Sequence, residues 1–351
     1  MKIHENYINR CIQLAKNGLG NTYPNPLVGC VIVHQDKIIG EGWHQKAGGH
    51  HAEVNAINSV KDKSLLDKAT LYVSLEPCNH FGKTPPCSDL IISHQIPTLI
   101  IGTIDPYDKV AGKGVEKLKK HDCEVVVGVL EKECVELNKR FLNYHTNKRP
   151  YIILKWAETK DGFIDIDRQV INGEEAKPNW ITNQYSRQLV HKWRTEEQAI
   201  MIGTNTAVND NPKLDVRTWL GKNPIRIVID KNLRIPDNYR IFDGNVKTII
   251  ITEKAKDLEV NNLFFEQIDF SKNVAKQICK VLYKHEIQSV IIEGGSQMLQ
   301  TFIDADLWDE ARIFIGEVAF SNGIHAPNIK GVESDSKMIR SDVLKVLYKR
   351  S

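Results

Sequence analysis

Thr70-Leu71-Tyr72-Val73-Ser74-Leu75-Glu76-Pro77-Cys78 is the stretch on which the fold of the first half turns. Its first six residues form an apolar run and read as a buried strand. Pro77 then suits the opening of a helix, where a thiolate is stabilised by the dipole and the free N–H groups. Outward from this stretch, His51-Ala52-Glu53 precedes it and Cys87 follows it. His51, Cys78 and Cys87 supply three protein ligands for a zinc ion. Three ligands leave a fourth position for water, which separates a catalytic metal from a closed structural one.

Glu53 need not bind metal. Zinc lowers the pKa of a bound water towards ~7, and a carboxylate beside it can take that water's proton and return it to a leaving amine. This is the His-x-Glu…Pro-Cys…Cys pattern of zinc deaminases. Here eight residues separate the two cysteines instead of two, and the insert Asn79-His80-Phe81-Gly82-Lys83-Thr84-Pro85-Pro86 is polar and turn-rich. The competing reading is a structural zinc knuckle, with His50 or His80 as fourth ligand. That reading leaves Glu53 without a purpose.

The chain has 351 residues, 41% hydrophobic and 26% charged, which predicts two domains with real cores. A net charge of +3 is too small to imply a nucleic-acid or membrane partner. Lys117, Lys119 and Lys120 read as a solvated face. Met1 to Asn6 has no apolar signal core, and no stretch approaches the ~20 apolar residues of a membrane span. The expectation is a cytoplasmic protein. Cys11, Cys30, Cys123, Cys134 and Cys279 read as ordinary reduced thiols.

The first half alternates helices and strands. Tyr7, Ile8, Cys11, Ile12 and Ala15 mark an amphipathic helix, Val28 to Val33 a strand and Lys37 to Gly42 its hairpin partner. A helix is predicted to start near Ala52. Further strands are read at 98–102 and 124–128, with a helix from Val115 to His121 between them, and one helix from Glu131 to Tyr144 closes the half. Thr146-Asn147-Lys148-Arg149-Pro150 is polar and ends in Pro, so the boundary is placed there, giving domains 1–146 and 147–351. The second half reads as strands at 151–156, 199–203, 225–230, 248–251 and 289–292, with a helix over 184–196. The fold class is α/β in both halves.

Glu293-Gly294-Gly295-Ser296 lies between a strand and a helix, where glycines let backbone N–H groups approach a phosphate. A plain strand–helix turn would use Gly equally. Gly203-Thr204-Asn205-Thr206, Asp210-Asn211-Pro212, Leu214 and Arg217 read as a loop after a strand, with Arg217 able to grip a phosphate. A simple turn with a surface charge explains them as well, and Trp180 is more often core than a stacking platform. No Gly-x-Gly-x-x-Gly follows a strand.

Together these pieces resemble the bifunctional riboflavin-biosynthesis deaminase–reductase family, from Tyr7 to about Gly323. The first half carries the resemblance in Pro24-Asn25-Pro26-Leu27-Val28-Gly29, His44 with Ala47-Gly48, His51-Ala52-Glu53, Pro77-Cys78-Asn79-His80 through Cys87, and Asp105-Pro106 with Ala111 to Gly114. The second half carries it in Arg149-Pro150 with Lys155, Asp161-Gly162, Trp180-Ile181-Thr182, Gly203 to Thr206, Asp210 to Pro212 with Arg217, and Glu293 to Gly295.

The resemblance implies a cytidine-deaminase-like α/β/α sandwich followed by a dihydrofolate-reductase-like α/β domain, which binds NADPH without the dinucleotide fingerprint. It implies one zinc per chain and a phosphorylated ribosylaminopyrimidine as small-molecule substrate. That substrate is deaminated in the first half and reduced from ribosyl to ribityl in the second. His51, Cys78 and Cys87 would hold zinc, with Glu53 catalytic. Asn25, His44, His80, Lys83 and Thr84 would hold the deaminase substrate. Ala157, Trp180, Thr206, Asp210 and Gly295 would contact NADPH, and Lys155, Arg194, Leu214, Arg217 and Glu293 the reductase substrate. The alternative for the second half is a reductase-derived domain without activity. A homo-oligomer is left open. Four positions depart from the family pattern: Pro178 and Thr159 stand where Ser is common, Asn211 where a second Asp is, and Glu317 where Pro is.

Overall fold

The computed structural model describes residues 2–79, 81, 85–105, 112–167, 179–255 and 262–350. Two compact units divide after Lys148, Met1–Lys148 and Arg149–Ser351.

In the first unit the order is α1 (Lys2–Lys16), β1 (Gly29–His34), β2 (Lys37–Trp43), α2 (Ala52–Ser59), β3 (Thr70–Leu75), α3 (Cys87–Ser93), β4 (Thr98–Thr103), α4 (Lys113–Lys120), β5 (Glu124–Val127), α5 (Glu131–Leu137) and α6 (Lys139–Asn147). The sheet order is β2-β1-β3-β4-β5. β1 runs antiparallel to both neighbours, and β3, β4 and β5 are parallel.

Strand side chains alternate between faces, and the central strands bury both. Leu71, Val73, Leu99 and Ile101 pack with Ala52, Ala56 and Ile57 of α2, Ile91 of α3 and Leu118 of α4. Tyr72 and Ile100 pack on the other side with Ile8 and Cys11 of α1 and with Cys134 and Leu137 of α5. The result is the expected α/β/α sandwich.

Two local expectations fail. Pro77-Cys78 opens no helix: residues 76–79 are irregular, and the helix begins at Cys87 with Pro86 as its N-cap. The position next to free helix N–H groups therefore belongs to the second cysteine. The single helix over 131–144 is two, α5 and α6, interrupted at Asn138. Asn138 is 2% exposed and leaves the helical conformation to bond both backbone groups of Leu27. It accepts from the Leu27 N–H at 2.8 Å and donates to its carbonyl at 2.9 Å. A buried amide needs such partners.

The second unit continues with β6 (Tyr151–Glu158), β7 (Phe163–Asp165), α7 (Gln184–Glu196), β8 (Ala199–Gly203), α8 (Thr204–Asp210), β9 (Ile225–Ile229), β10 (Thr248–Thr252), β11 (Leu263–Gln267), α9 (Val274–Lys284), β12 (Ser289–Ile292), α10 (Ser296–Asp304), β13 (Glu310–Ile315), β14 (Ile324–His325), β15 (Val332–Ile339) and β16 (Asp342–Tyr348). Its main sheet is ordered β11-β10-β9-β8-β12-β6-β13-β16-β15, with every strand parallel except β16, which runs antiparallel to both its neighbours. Leu154, Met201, Ile251 and Ile292 pack with α9 and α10 through Ile278, Leu282 and Phe302. Ile153 and Ile291 meet Val190 and Trp193 of α7 on the opposite face. Of the stretch read as a loop after β8, residues 204–210 form instead the seven-residue helix α8, while 211–217 are irregular as expected.

Candidate active sites

In the first unit, α2 begins immediately after His51, which is its N-cap residue. Cys78 lies just beyond the end of β3, and Cys87 is the first residue of α3. Strand and helix ends thus bring together three residues spread over 37 positions of sequence. Their ligand atoms all lie within 4.8 Å of one another. His51 Nδ1 is 3.2 Å from Cys87 Sγ and 3.5 Å from Cys78 Sγ, and the Cys87 N–H donates to Cys78 Sγ at 3.3 Å.

Tetrahedral zinc with ordinary bond lengths to nitrogen and sulfur separates its ligands by about 3.5 Å, so the donor set fits the ion. Cys78 is held well below the ordinary thiol range. Its hydrogen bond with Cys87 has the largest effect, burial opposes it, and His51 adds to the lowering. A thiol that readily gives its thiolate is what a metal requires.

Glu53 is 3% exposed, in the first turn of α2. Burial first, and then the neighbouring Cys78, push its carboxyl up to about 7, against His51 and a hydrogen bond with Cys87. Such a carboxyl exchanges a proton easily near neutral pH. Asn25 and His44 converge on the same place. The His44 ring lies edge-on to His51 with centroids 5.6 Å apart. His44 Nδ1 faces the His50 carbonyl at 2.9 Å, so the proton is assigned to Nδ1. Nε2 then accepts from Asn25 Nδ2 at 3.0 Å. Burial, with His51 nearby, lowers the His44 pKa and favours this neutral form. His80, Lys83 and Thr84 lie outside the described residues.

In the second unit, all ten residues expected of the reductase line one cleft of about 960 Å³, at the upper end of the ~300–1,000 Å³ usual for ligand sites. Lys155 and Ala157 come from β6, Arg194 from α7, and Thr206 and Asp210 from α8. Gly295 is the N-cap of α10 at φ +67°, a conformation that favours glycine. A Cβ there would lie 3.6 Å from Thr206 Oγ1, and one on Gly294 only 3.1 Å from it. The bare backbone beside a helix start is what a dinucleotide phosphate needs. Trp180 is 61% exposed, with the Arg187 guanidinium 4.5 Å from its ring centre. It is not a core residue.

Glu293 is bonded by Arg194 Nη2 at 2.7 Å and Nε at 3.2 Å, with Lys155 Nζ at 3.9 Å. Burial alone would raise its carboxyl, but Arg194 and then Lys155 outweigh it and hold the pKa at about 2. Lys155 moves down from the ordinary lysine value, through burial first and Arg194 as well, with Glu293 opposing. Arg217 reaches Asp215 at 2.8 Å. Leu214, 4% exposed, takes φ +53°, a strained backbone of the kind that gathers at ligand sites.

Two departures from the family pattern have structural accounts. Asn211 caps α8 at φ +38°, which suits Asn, and accepts from the Arg240 N–H at 2.9 Å. The Thr159 hydroxyl donates to Asp161 and accepts from the Phe163 N–H, a role that Ser and Thr share. Pro178 lies outside the described residues, and nothing in the structure explains Glu317. His191 also lines the cleft and was missed, although it stands one turn before Arg194 on α7.

Residues 1–103 match the cytidine and deoxycytidylate deaminase zinc-binding region, and residues 150–327 match the RibD C-terminal domain. The class is therefore a zinc-dependent deaminase carried on one chain with an NADPH-dependent, dihydrofolate-reductase-like domain. Riboflavin biosynthesis protein RibD of Aquifex aeolicus is 38% identical over 97% of this chain and 95% of its own length. The protein of that name from Actinobacillus pleuropneumoniae is 40% identical over 88% and 82%. Among solved structures, a diaminohydroxyphosphoribosylaminopyrimidine deaminase/5-amino-6-(5-phosphoribosylamino)uracil reductase of Thermotoga maritima superposes with a TM-score of 0.90. It shows 36% identity and 99% coverage of both chains. Acinetobacter baumannii RibD gives 0.89 at 30% identity, covering 100% of this chain and 99% of its own. The chain belongs to the RibD family of riboflavin biosynthesis.

Proposed function

We propose that the first unit hydrolyses the 2-amino group of 2,5-diamino-6-ribosylamino-4(3H)-pyrimidinone 5′-phosphate, and that the second reduces the ribosyl group of the product to ribityl. His51, Cys78 and Cys87 hold zinc, which when bound acidifies a water. Glu53 takes a proton from the attacking water and returns it to the amine, so that ammonia departs from the ring carbon. Asn25 and His44 orient the pyrimidine. By the family resemblance, His80 would help orient the pyrimidine, and Lys83 and Thr84 would bind the 5′-phosphate. The observation that carries this reading is a buried carboxyl within hydrogen-bond reach of Cys87 in a three-ligand cluster.

In the second unit the chemistry that NADPH would supply is hydride donation at the sugar C1′. Ala157, Trp180, Thr206, Asp210 and Gly295 hold the cofactor. Arg194, Leu214, Arg217, Glu293 and Lys155 would hold the substrate, with Arg217 the candidate for gripping its phosphate. The functional boundary is placed at 146/147, two residues before the two compact units part after Lys148. The five cysteines outside the zinc cluster, none of them in a disulfide, support a reducing, cytoplasmic setting. Among the described residues no helix is long and apolar enough to cross a membrane.

Incubating the pure, zinc-loaded chain with the pyrimidine, with and without NADPH, tests both steps by product mass. The deaminated product is expected in each case, and the ribityl product only with NADPH. Absence of ammonia would remove the first assignment. Absence of NADPH oxidation on the deaminated intermediate would leave the second unit as a reductase-derived domain without activity.

A further inference from the structure

Glu76 stands between β3 and Pro77-Cys78 and is 4% exposed. Among the described residues, four backbone N–H groups donate to its carboxylate. Asp105 at 3.4 Å and Gly112 at 2.9 Å reach Oε2, and Gly114 at 3.0 Å and Val115 at 3.3 Å reach Oε1. Three of these belong to the start of α4, whose N-cap, Gly112, has no side chain to offer. The first N–H groups of a helix lack intrahelical partners, and a negative charge is what they favour. Glu76 therefore caps α4 from a different element.

The same junction is made twice more. Asn79 donates to the Lys113 carbonyl at 3.2 Å and accepts from Ser88 Oγ at 3.0 Å. Gly114 lies so close to the loop that a Cβ on it would sit 2.4 Å from the Pro77 carbonyl oxygen. Cys78 is thus carried on a short loop tied to α4 on both sides, and its own carbonyl accepts from the Ser88 N–H at 3.2 Å.

We propose that Glu76 is the positioning residue for Cys78: by bonding the head of α4 it fixes where that thiolate stands and so sets how firmly zinc is held. This rests on the reading of His51, Cys78 and Cys87 as the zinc ligands. A carboxylate accepts all four bonds, whereas an amide turns its NH₂ group towards some of the donors. In Glu76→Gln the loop would lose its fixed position while its length and bulk stay the same.

The test uses the zinc-loaded full chain. The rate of zinc transfer to a chromogenic chelator is read, together with the thiolate-to-metal absorption band of the cobalt-substituted protein. Glu76→Gln is expected to release zinc about tenfold faster, in the range found when partners of metal ligands are removed, and to shift the cobalt band. NADPH oxidation with the deaminated intermediate is expected to stay at the wild-type rate, which reports an intact second unit. Gly114→Ala keeps the carboxylate but presses on Pro77, and is expected to move both readouts the same way. It also carries the test where Glu76→Gln does not fold. Wild-type release rates and an unchanged band in both variants would overturn the proposal. A wild-type chain that takes up no zinc would instead overturn the metal reading on which it rests.

Discussion

Arg194 grips Glu293 with two guanidinium nitrogens, at 2.7 Å and 3.2 Å, across 99 positions of sequence, and both side chains are nearly buried. Lys155 adds a second cation at 3.9 Å. The carboxylate therefore keeps two buried positive charges in place at the wall of the reductase cleft.

Replacing Glu293 with Gln leaves those cations uncompensated. Removing one partner of a buried pair costs about 3–5 kcal/mol. Denaturant unfolding of Glu293→Gln is expected to show the second unit destabilised by roughly that amount, and NADPH oxidation should be lost. Ammonia release by the first unit is expected to persist.

Acid should act through the same carboxylate. Its folded-state pKa is depressed to about 2, so its contribution is fully present above the ordinary carboxylate value of ~4.3. It is lost as pH falls from there towards 2. Unfolding midpoints measured over that window should fall more steeply for wild type than for Glu293→Gln, and the two curves should converge at the acid end. Parallel curves would contradict the assignment.

Glu53→Gln keeps the size of the side chain but cannot shuttle protons. Its expected phenotype is a full complement of zinc with ammonia release reduced about 10²–10⁴-fold, the usual scale of general acid–base catalysis. Metal analysis beside an ammonia assay checks it. Unchanged ammonia release would end the catalytic assignment.

Gly295→Ala places a Cβ at φ +67°, which costs on the order of 1 kcal/mol. On the proposal that Gly295 contacts the cofactor, KM for NADPH is expected to rise about fivefold, more than kcat falls. Gly203→Ala is the control, because its Cβ would meet only Met298 at ordinary contact distance. Steady-state kinetics of the two variants separate the cases.

The clustering of His51, Cys78 and Cys87 was legible because zinc chemistry restricts residue type, and the placing of Glu53 beside it followed from its spacing to His51. The strands over 151–156 and 289–292 were legible because both their faces are buried, leaving near-continuous apolar runs. β13, which pairs directly with β6, was not singled out: buried Glu310 and Arg312, 2.6 Å apart, break its apolar run. α8 escaped because a seven-residue polar helix shows no periodicity. The break at Asn138 escaped because its cause is a backbone partner 111 positions away. The reductase contacts were weak as isolated residues and gained force only from the family resemblance. The cleft then brings all ten together from strands and helices far apart in the chain.

That Asn138 latch has a consequence for synthesis. A growing chain possesses every metal ligand once residue 87 has been made, yet Leu27, two positions after Asn25, gains its amide partner only when residue 138 has left the ribosome. Synthesis thus completes the Leu27–Asn138 contact only after the whole His51–Cys78–Cys87 cluster has been made.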